Sequence, residues 1–262
     1  MNVRKAAFFD IDGTIWNQEN FIPESTIEAI RALRENGHLT FLCSGRGRGY
    51  IQSPRLLEIG FDGIVSGCGT LVEYDGKSIF YKRMDNELMA HTIRTVRAYG
   101  LRPILEGREY LYMDDFEFGK DPYGVKLKRE MGERLLTIEG EWGRWEVSKL
   151  ACATEKGDRG GCFHALEQYY DFMIHNHAVL EMVPKGFHKG IGIAKACEYL
   201  GMDIQNTIAF GDSSNDLGMF QDVGFAVAMG NGSDVAKAAA DYVTAELLDD
   251  GIWKACKHLG LI

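Results

Sequence analysis

The apolar run Ala6-Ala7-Phe8-Phe9 stops abruptly at Asp10. An unbroken apolar stretch of this length, closed by an acid, predicts a buried parallel strand over residues 5–10. Pro23 then opens a helical stretch to Asn36, with Ile27, Ile30 and Leu33 on one face and Gly37 as its stop. Residues 39–43 read as a second strand, followed by a Ser44-Gly45-Arg46 turn and a helix over residues 50–59. Residues 61–66 read as a third strand. Within residues 71–81, Asp75-Gly76 lies between strand-like flanks and marks a hairpin. The last third repeats the alternation. Helices are predicted over 189–200, 216–220, 233–240 and 251–259, and strands over 207–210, 225–229 and 242–244.

Strands alternating with helices predict an α/β fold built on a doubly wound, parallel, Rossmann-like sheet. The middle of the chain has a different rhythm. A helix over 86–99 precedes strands at 101–105, 110–113 and 148–153, then a helix at 162–170 and strands within 172–183. This pattern predicts an α+β unit inserted into the first fold, dividing the chain into a core of residues 1–82 and 184–262 and an insert of residues 83–183. The stretch 106–145 has no legible period.

The 262 residues are 45% hydrophobic and 26% charged, an ordinary globular composition. No apolar run approaches the roughly 18–20 residues that span a bilayer. The first residues lack the shape of a signal peptide, so the expected location is the cytoplasm, away from membranes. A net charge of −9 argues against nucleic acid, whose phosphates demand a basic face. It does not exclude a small anionic substrate, because a metal ion and a few local cations outweigh global charge. The 6 cysteines are scattered without a CxxC pair and read as buried, reduced thiols.

All the chemistry-bearing residues but Lys189 follow predicted strands directly. Asp10-Ile11-Asp12-Gly13-Thr14 closes the first. Residues two apart on an extended segment share a side, so Asp10 and Asp12 can share a pocket at the carboxyl edge of the sheet. Two carboxylates so close require a proton or a cation between them. Gly211-Asp212-Ser213-Ser214-Asn215-Asp216 follows the strand at 207–210 and places more oxygen donors at the same edge. Oxygen donors of this kind suit a hard cation such as Mg²⁺. Asp216, at a helix start, serves equally well as a cap. Ser44 and the backbone N–H groups of Gly45 and Arg46 form an anion cradle at a strand-to-helix turn. Arg46 grips a substrate or pairs with a surface acid. Lys189 opens a helix, where a cation is mildly unfavourable; it faces solvent, or it holds a phosphate beside Asp10.

Together these segments resemble the haloacid dehalogenase superfamily, in its Cof-like sugar-phosphate phosphatase branch. Asp10 to Thr14 is similar to the first family motif, Ser44-Gly45-Arg46 to the second, Lys189-Gly190 to the third, and Gly211-Asp212 through Asn215-Asp216 to the fourth. Ala228-Met229-Gly230-Asn231 and Asp250-Gly251 are also similar to this branch. Two positions depart from it: Cys68 stands where asparagine is common, and Gly232 where alanine is. The resemblance implies an α/β cap in the insert and a Mg²⁺-dependent phosphatase. In it, Asp10 is the nucleophile, Asp12 the acid and base, and Ser44 and Lys189 the phosphate-neutralising groups. Asp10, the Asp12 carbonyl and Asp212 would hold the metal, with Asn215 or Asp216 at longer range. Its substrate would be a small phosphorylated metabolite. A phosphomutase shares the Asp-x-Asp pattern and a similar insert. A non-catalytic binding protein on this fold would have lost a motif residue, and here every one is present. Substrate choice falls to the insert, where His175 and His177 contact a ligand or metal or are structural, and Trp142 and Trp145 stack on a sugar ring or pack against the insert's core. Glu181 and Lys185 lie near the hinge between insert and core, with no role preferred.

Overall fold

The computed structural model describes residues 3–119, 121–155, 157–174 and 179–262. Its strands, in chain order, are β1 (Ala6–Phe9), β2 (Leu39–Cys43), β3 (Gly63–Ser66), β4 (Leu71–Tyr74), β5 (Lys77–Tyr81), β6 (Arg102–Glu106), β7 (Leu111–Tyr112), β8 (Leu135–Leu136), β9 (Lys149–Ala153), β10 (Tyr170–Ile174), β11 (Val179–Pro184), β12 (Thr207–Gly211), β13 (Phe225–Ala228) and β14 (Tyr242–Val243). The chain divides into two compact units. One holds Met1–Gly45, Gln52–Phe80 and His188–Ile262; the other holds Arg46–Ile51 and Tyr81–Phe187. The short segment after Gly45, assigned to the core by sequence, therefore belongs with the second unit.

The first unit is built on an eight-stranded sheet ordered β14-β13-β12-β1-β2-β3-β4-β5. The strands from β14 through β3 run parallel, and β4 turns back antiparallel to β3. Every residue of β1 is buried. Since successive side chains point to opposite faces, the sheet is covered on both sides. Phe8 stacks on Phe41 at 4.8 Å and Phe9 on Phe210 at 4.6 Å, so neighbouring strands are locked by aromatic pairs. After β1 the chain goes to β2 on one side, while β12 flanks β1 on the other. The β1/β12 boundary is thus a topological switch point, where doubly wound sheets open a crevice at the carboxyl edge. The parallel α/β reading of the sequence is the observed fold.

Several elements differ from the expected ones for local reasons. Pro23 is the N-cap of the Glu24–Glu35 helix rather than its first residue. The helix expected over 50–59 is only a 3₁₀ turn, Arg48–Tyr50, and one helical turn, Pro54–Leu57. Pro54 removes a helical donor and biases Ser53 to an extended backbone, which splits the segment. At the hairpin, Asp75 and Gly76 have φ of 49° and 71°, the two positive values a tight primed turn requires.

The second unit has a six-stranded sheet ordered β10-β11-β9-β6-β7-β8. One face packs Leu105, Leu150, Cys152, Leu180 and Met182 against the helices Asn86–Ala98 and Arg159–Leu166. On the other face, Ile104, Leu111, Met113 and Ala153 pack against Phe118, Leu127 and Met131. The stretch 106–145 without legible period holds short pieces: helices Asp115–Phe118 and Pro122–Met131 and the two-residue β7 and β8. Trp145 is fully buried and donates from Nε1 to the Ile138 carbonyl at 3.0 Å, so it packs the core, while Trp142 stands edge-on to it and is exposed. His175 and His177 lie outside the described residues. All 6 cysteines are buried and free. Among the described residues no helix is long and apolar enough to cross a membrane.

Candidate active site

Asp10 follows β1 directly, and its N–H donates to the Phe210 carbonyl of β12 at 2.9 Å, which pins it at the switch point. Asp212 follows β12, one strand over. Gly13, with φ of 84°, turns the chain between them. A Cβ at Gly13 would stand 2.3 Å from Asp212 Oδ2, so the backbone of the first motif lies directly against the carboxylate of the fourth. Only a residue without a side chain permits that approach. Thr14 Oγ1 donates to Asp212 Oδ1 at 3.3 Å.

Lys189 begins the helix Lys189–Leu200 and is fully buried, which excludes the solvent-facing alternative. Its Nζ donates to Asp10 Oδ1 at 2.6 Å, to Asp216 Oδ1 at 2.6 Å and to Asn215 Oδ1 at 3.2 Å. Burial opposes charge on Lys189, but Asp10 and Asp216 overcome it and hold the ammonium well above its ordinary range. Asp216 also caps its own turn: Oδ2 accepts from the N–H groups of Asp212 and Ser213 at 2.9 and 3.0 Å. The capping role is therefore present, together with an ion pair.

Oxygens of Asp10, Asp212 and Asp216 all lie within 4.8 Å of one another. Burial pushes the Asp10 carboxyl well above the usual range; Lys189 pulls it down, and Asp216, Asp212 and Asp12 push it up. The Asp212 carboxyl is pushed up to about 6, by burial first and then by Asp216, against Lys189 and Thr14. One ammonium is too little charge for these carboxylates, and the donors are all hard oxygens. That combination fits a divalent cation.

Asp12 is exposed, unlike buried Asp10. Its Oδ1 accepts from the Trp16 indole N–H at 2.9 Å, which orients the carboxylate. Ser44 follows β2, the neighbour of β1, and is buried; its N–H donates to Val65 O at 2.9 Å. Cys68, at φ of 55°, braces this turn: its N–H donates to Ser44 O at 3.2 Å and its thiol lies 4.0 Å from Gly45 O. Gly45 closes the first unit's segment, and Arg46 begins the second unit's. The sequence reading overlooked Thr14, Trp16 and the brace from Cys68. Thr14 lay inside the quoted motif; Trp16 carried no signal. Asn231 ties Gly13 O to Leu247 N–H, at 2.8 Å on each side.

The profile of the haloacid dehalogenase-like hydrolases matches residues 7–256. The chain belongs to this family. It is 32% identical to the Bacillus subtilis (strain 168) protein named "Putative phosphatase YkrA", over 98% of both chains. It is 26% identical to 5-amino-6-(5-phospho-D-ribitylamino)uracil phosphatase YcsE of the same organism, over 97% of this chain and 95% of that one. Among solved structures, the subclass IIB sugar phosphatase BT4131 superposes with a TM-score of 0.81 at 27% identity, covering 98% of this chain and 100% of that one. These relatives are phosphatases of the superfamily, in agreement with the expected class of phosphoric monoester hydrolase.

Proposed function

We propose that this chain is a Mg²⁺-dependent cytoplasmic phosphatase that hydrolyses small phosphate monoesters, sugar phosphates foremost, through an aspartyl-phosphate on Asp10. The observation that carries this reading is the buried Asp10 carboxylate at 2.6 Å from Lys189 Nζ, within one cluster with Asp212. Phosphoryl transfer depends on such positioning and charge neutralisation. Named relatives acting on a phosphorylated ribitylaminouracil and on sugar phosphates support the substrate class.

An Asp10 oxygen attacks phosphorus, the bond to the ester oxygen breaks, and Asp12 gives the leaving alcohol its proton. Asp12 then takes a proton from water, whose oxygen attacks the same phosphorus. The bond to Asp10 breaks and inorganic phosphate leaves. The Trp16 N–H holds Asp12 in place for both transfers. Ser44, Gly45, Arg46, Asn215 and Lys189 bind the phosphate ester. Asp10, Asp212 and the Asp12 carbonyl would hold Mg²⁺, with Asn215 and Asp216 at longer range, and the ion would neutralise phosphoryl charge. Residues 1–82 and 184–262 serve as the catalytic core in this reading, and 83–183 as the cap that selects the ester.

The test is a panel of phosphate esters assayed with Mg²⁺. The wild type releases inorganic phosphate in a single turnover without a bisphosphate activator, and Asp10→Asn releases none. Full turnover by Asp10→Asn would show the mechanism to be wrong.

A further inference from the structure

A second buried charge cluster lies in the other unit. Glu106 closes β6, Lys149 opens β9, and the two are direct partners in the sheet. Glu181 on β11 lies on the same face, since it pairs with Ala151, two residues along from Lys149. Lys149 is fully buried; its Nζ stands 2.9 Å from Glu181 and 3.4 Å from Glu106. The other Glu106 oxygen accepts from the Gly47 N–H at 2.6 Å. Burying Glu106 and Lys149 within the sheet is costly and adds little net stability over well-packed apolar residues. What the cluster does provide is a fixed, charge-assisted anchor for one backbone N–H.

That anchor lies next to Arg46. The segment Arg46–Ile51 is built into this unit at successive points. Gly47 binds Glu106, and Gly49 N–H donates to Gly107 O at 3.0 Å. Tyr50 donates to Glu130 at 2.8 Å, and the Arg46 guanidinium sits 4.7 Å from the centre of the Tyr50 ring. A Cβ at Gly47 would meet Glu106 Cβ at 2.7 Å and Oε2 at 2.8 Å, so the backbone rests on that side chain without slack. We infer that Glu106, held by Lys149, is a positioning residue: its carboxylate fixes the Gly47 peptide and thereby sets Arg46 to receive the anionic ester. This rests on the reading of Arg46 as an ester-binding residue in the proposed phosphatase.

The test uses the full chain with para-nitrophenyl phosphate and Mg²⁺, following kcat, KM and the thermal midpoint. Glu106→Ala raises KM about tenfold, the loss expected for one charged hydrogen bond. The double variant with Arg46→Ala is no worse than Arg46→Ala alone, because the two act through one contact. Glu106→Gln keeps an acceptor for Gly47 but loses the pairing with Lys149; it recovers part of the KM loss while its thermal midpoint stays below that of the wild type. Gly47→Ala, which leaves every charge in place, reproduces the KM defect. A wild-type KM in Glu106→Ala and Gly47→Ala, additive losses in the double variant, or activity that merely follows the folded fraction would each overturn the inference. Turnover by Asp10→Asn would instead overturn the phosphatase reading, so the two failures are distinct.

Discussion

At Lys189 one ammonium faces two buried carboxylates and an amide oxygen. Removing it leaves Asp10 and Asp216 uncompensated beside Asp212. Lys189→Met is therefore expected to destabilise the fold by about 3–5 kcal/mol. Adding Asp216→Asn should return part of that loss; urea unfolding of the single and double variants measures both. Gly13 is the second residue on which the site turns. An alanine there takes a left-handed backbone, at about 1–2 kcal/mol, and drives a methyl into the Asp212 carboxylate. Gly13→Ala should lower kcat/KM at least about a hundredfold, since small displacements of reacting groups are costly. An alanine variant with wild-type kcat/KM would contradict this close-approach account.

At the scale of elements, the site depends on how firmly β2 is seated beside β1. The Lys5 N–H donates to Nδ1 of buried His38 at 3.1 Å, which requires that nitrogen to be unprotonated. Burial, then Arg4 and Lys5, hold the His38 ring below its ordinary value. The sign follows from linkage. Above the unfolded value of about 6.5 both states are neutral and the contribution is intact. As pH falls below it, the unfolded chain takes up a proton that the folded chain resists, and stability is lost. His38→Gln should flatten the pH dependence of the urea midpoint between pH 7.5 and 5.5 relative to wild type. Elements were most legible where period and punctuation agreed. The helix Lys189–Leu200 was read to the residue, because its C-cap Gly201, with φ of 62°, is a strong local stop. The helix Arg159–Leu166 was read three residues late, because Asp158 caps it and two glycines follow. Those glycines hide the start from any count of apolar positions.

For the whole molecule, the carboxylates gathered at the ends of β1 and β12 would couple the proposed metal binding to folding. A cation that binds only the folded chain stabilises it by mass action, about 2.7 kcal/mol at a concentration 100 times its dissociation constant. Mg²⁺ should raise the thermal midpoint of protein stripped with a chelator, and Asp212→Asn should abolish that rise. An equal rise in Asp212→Asn would place the ion elsewhere.

Local sequence determined the alternation of strands and helices, hence the parallel sheet, and the acids and hydroxyl at its carboxyl edge. Those features are short-range: apolar period, glycine turns and proline breaks act over a few residues. The Asp10/Asp12 pair illustrates the limit. Its spacing implied a shared pocket, yet only the folded chain buries Asp10 on Lys189 and turns Asp12 outward to Trp16. The contacts of Lys189, Glu106 and Gly47 bridge 179, 27, 26 and 59 positions of sequence. Charges and hydrogen bonds acting over a few ångströms choose such partners, and nearness along the chain carries no trace of them.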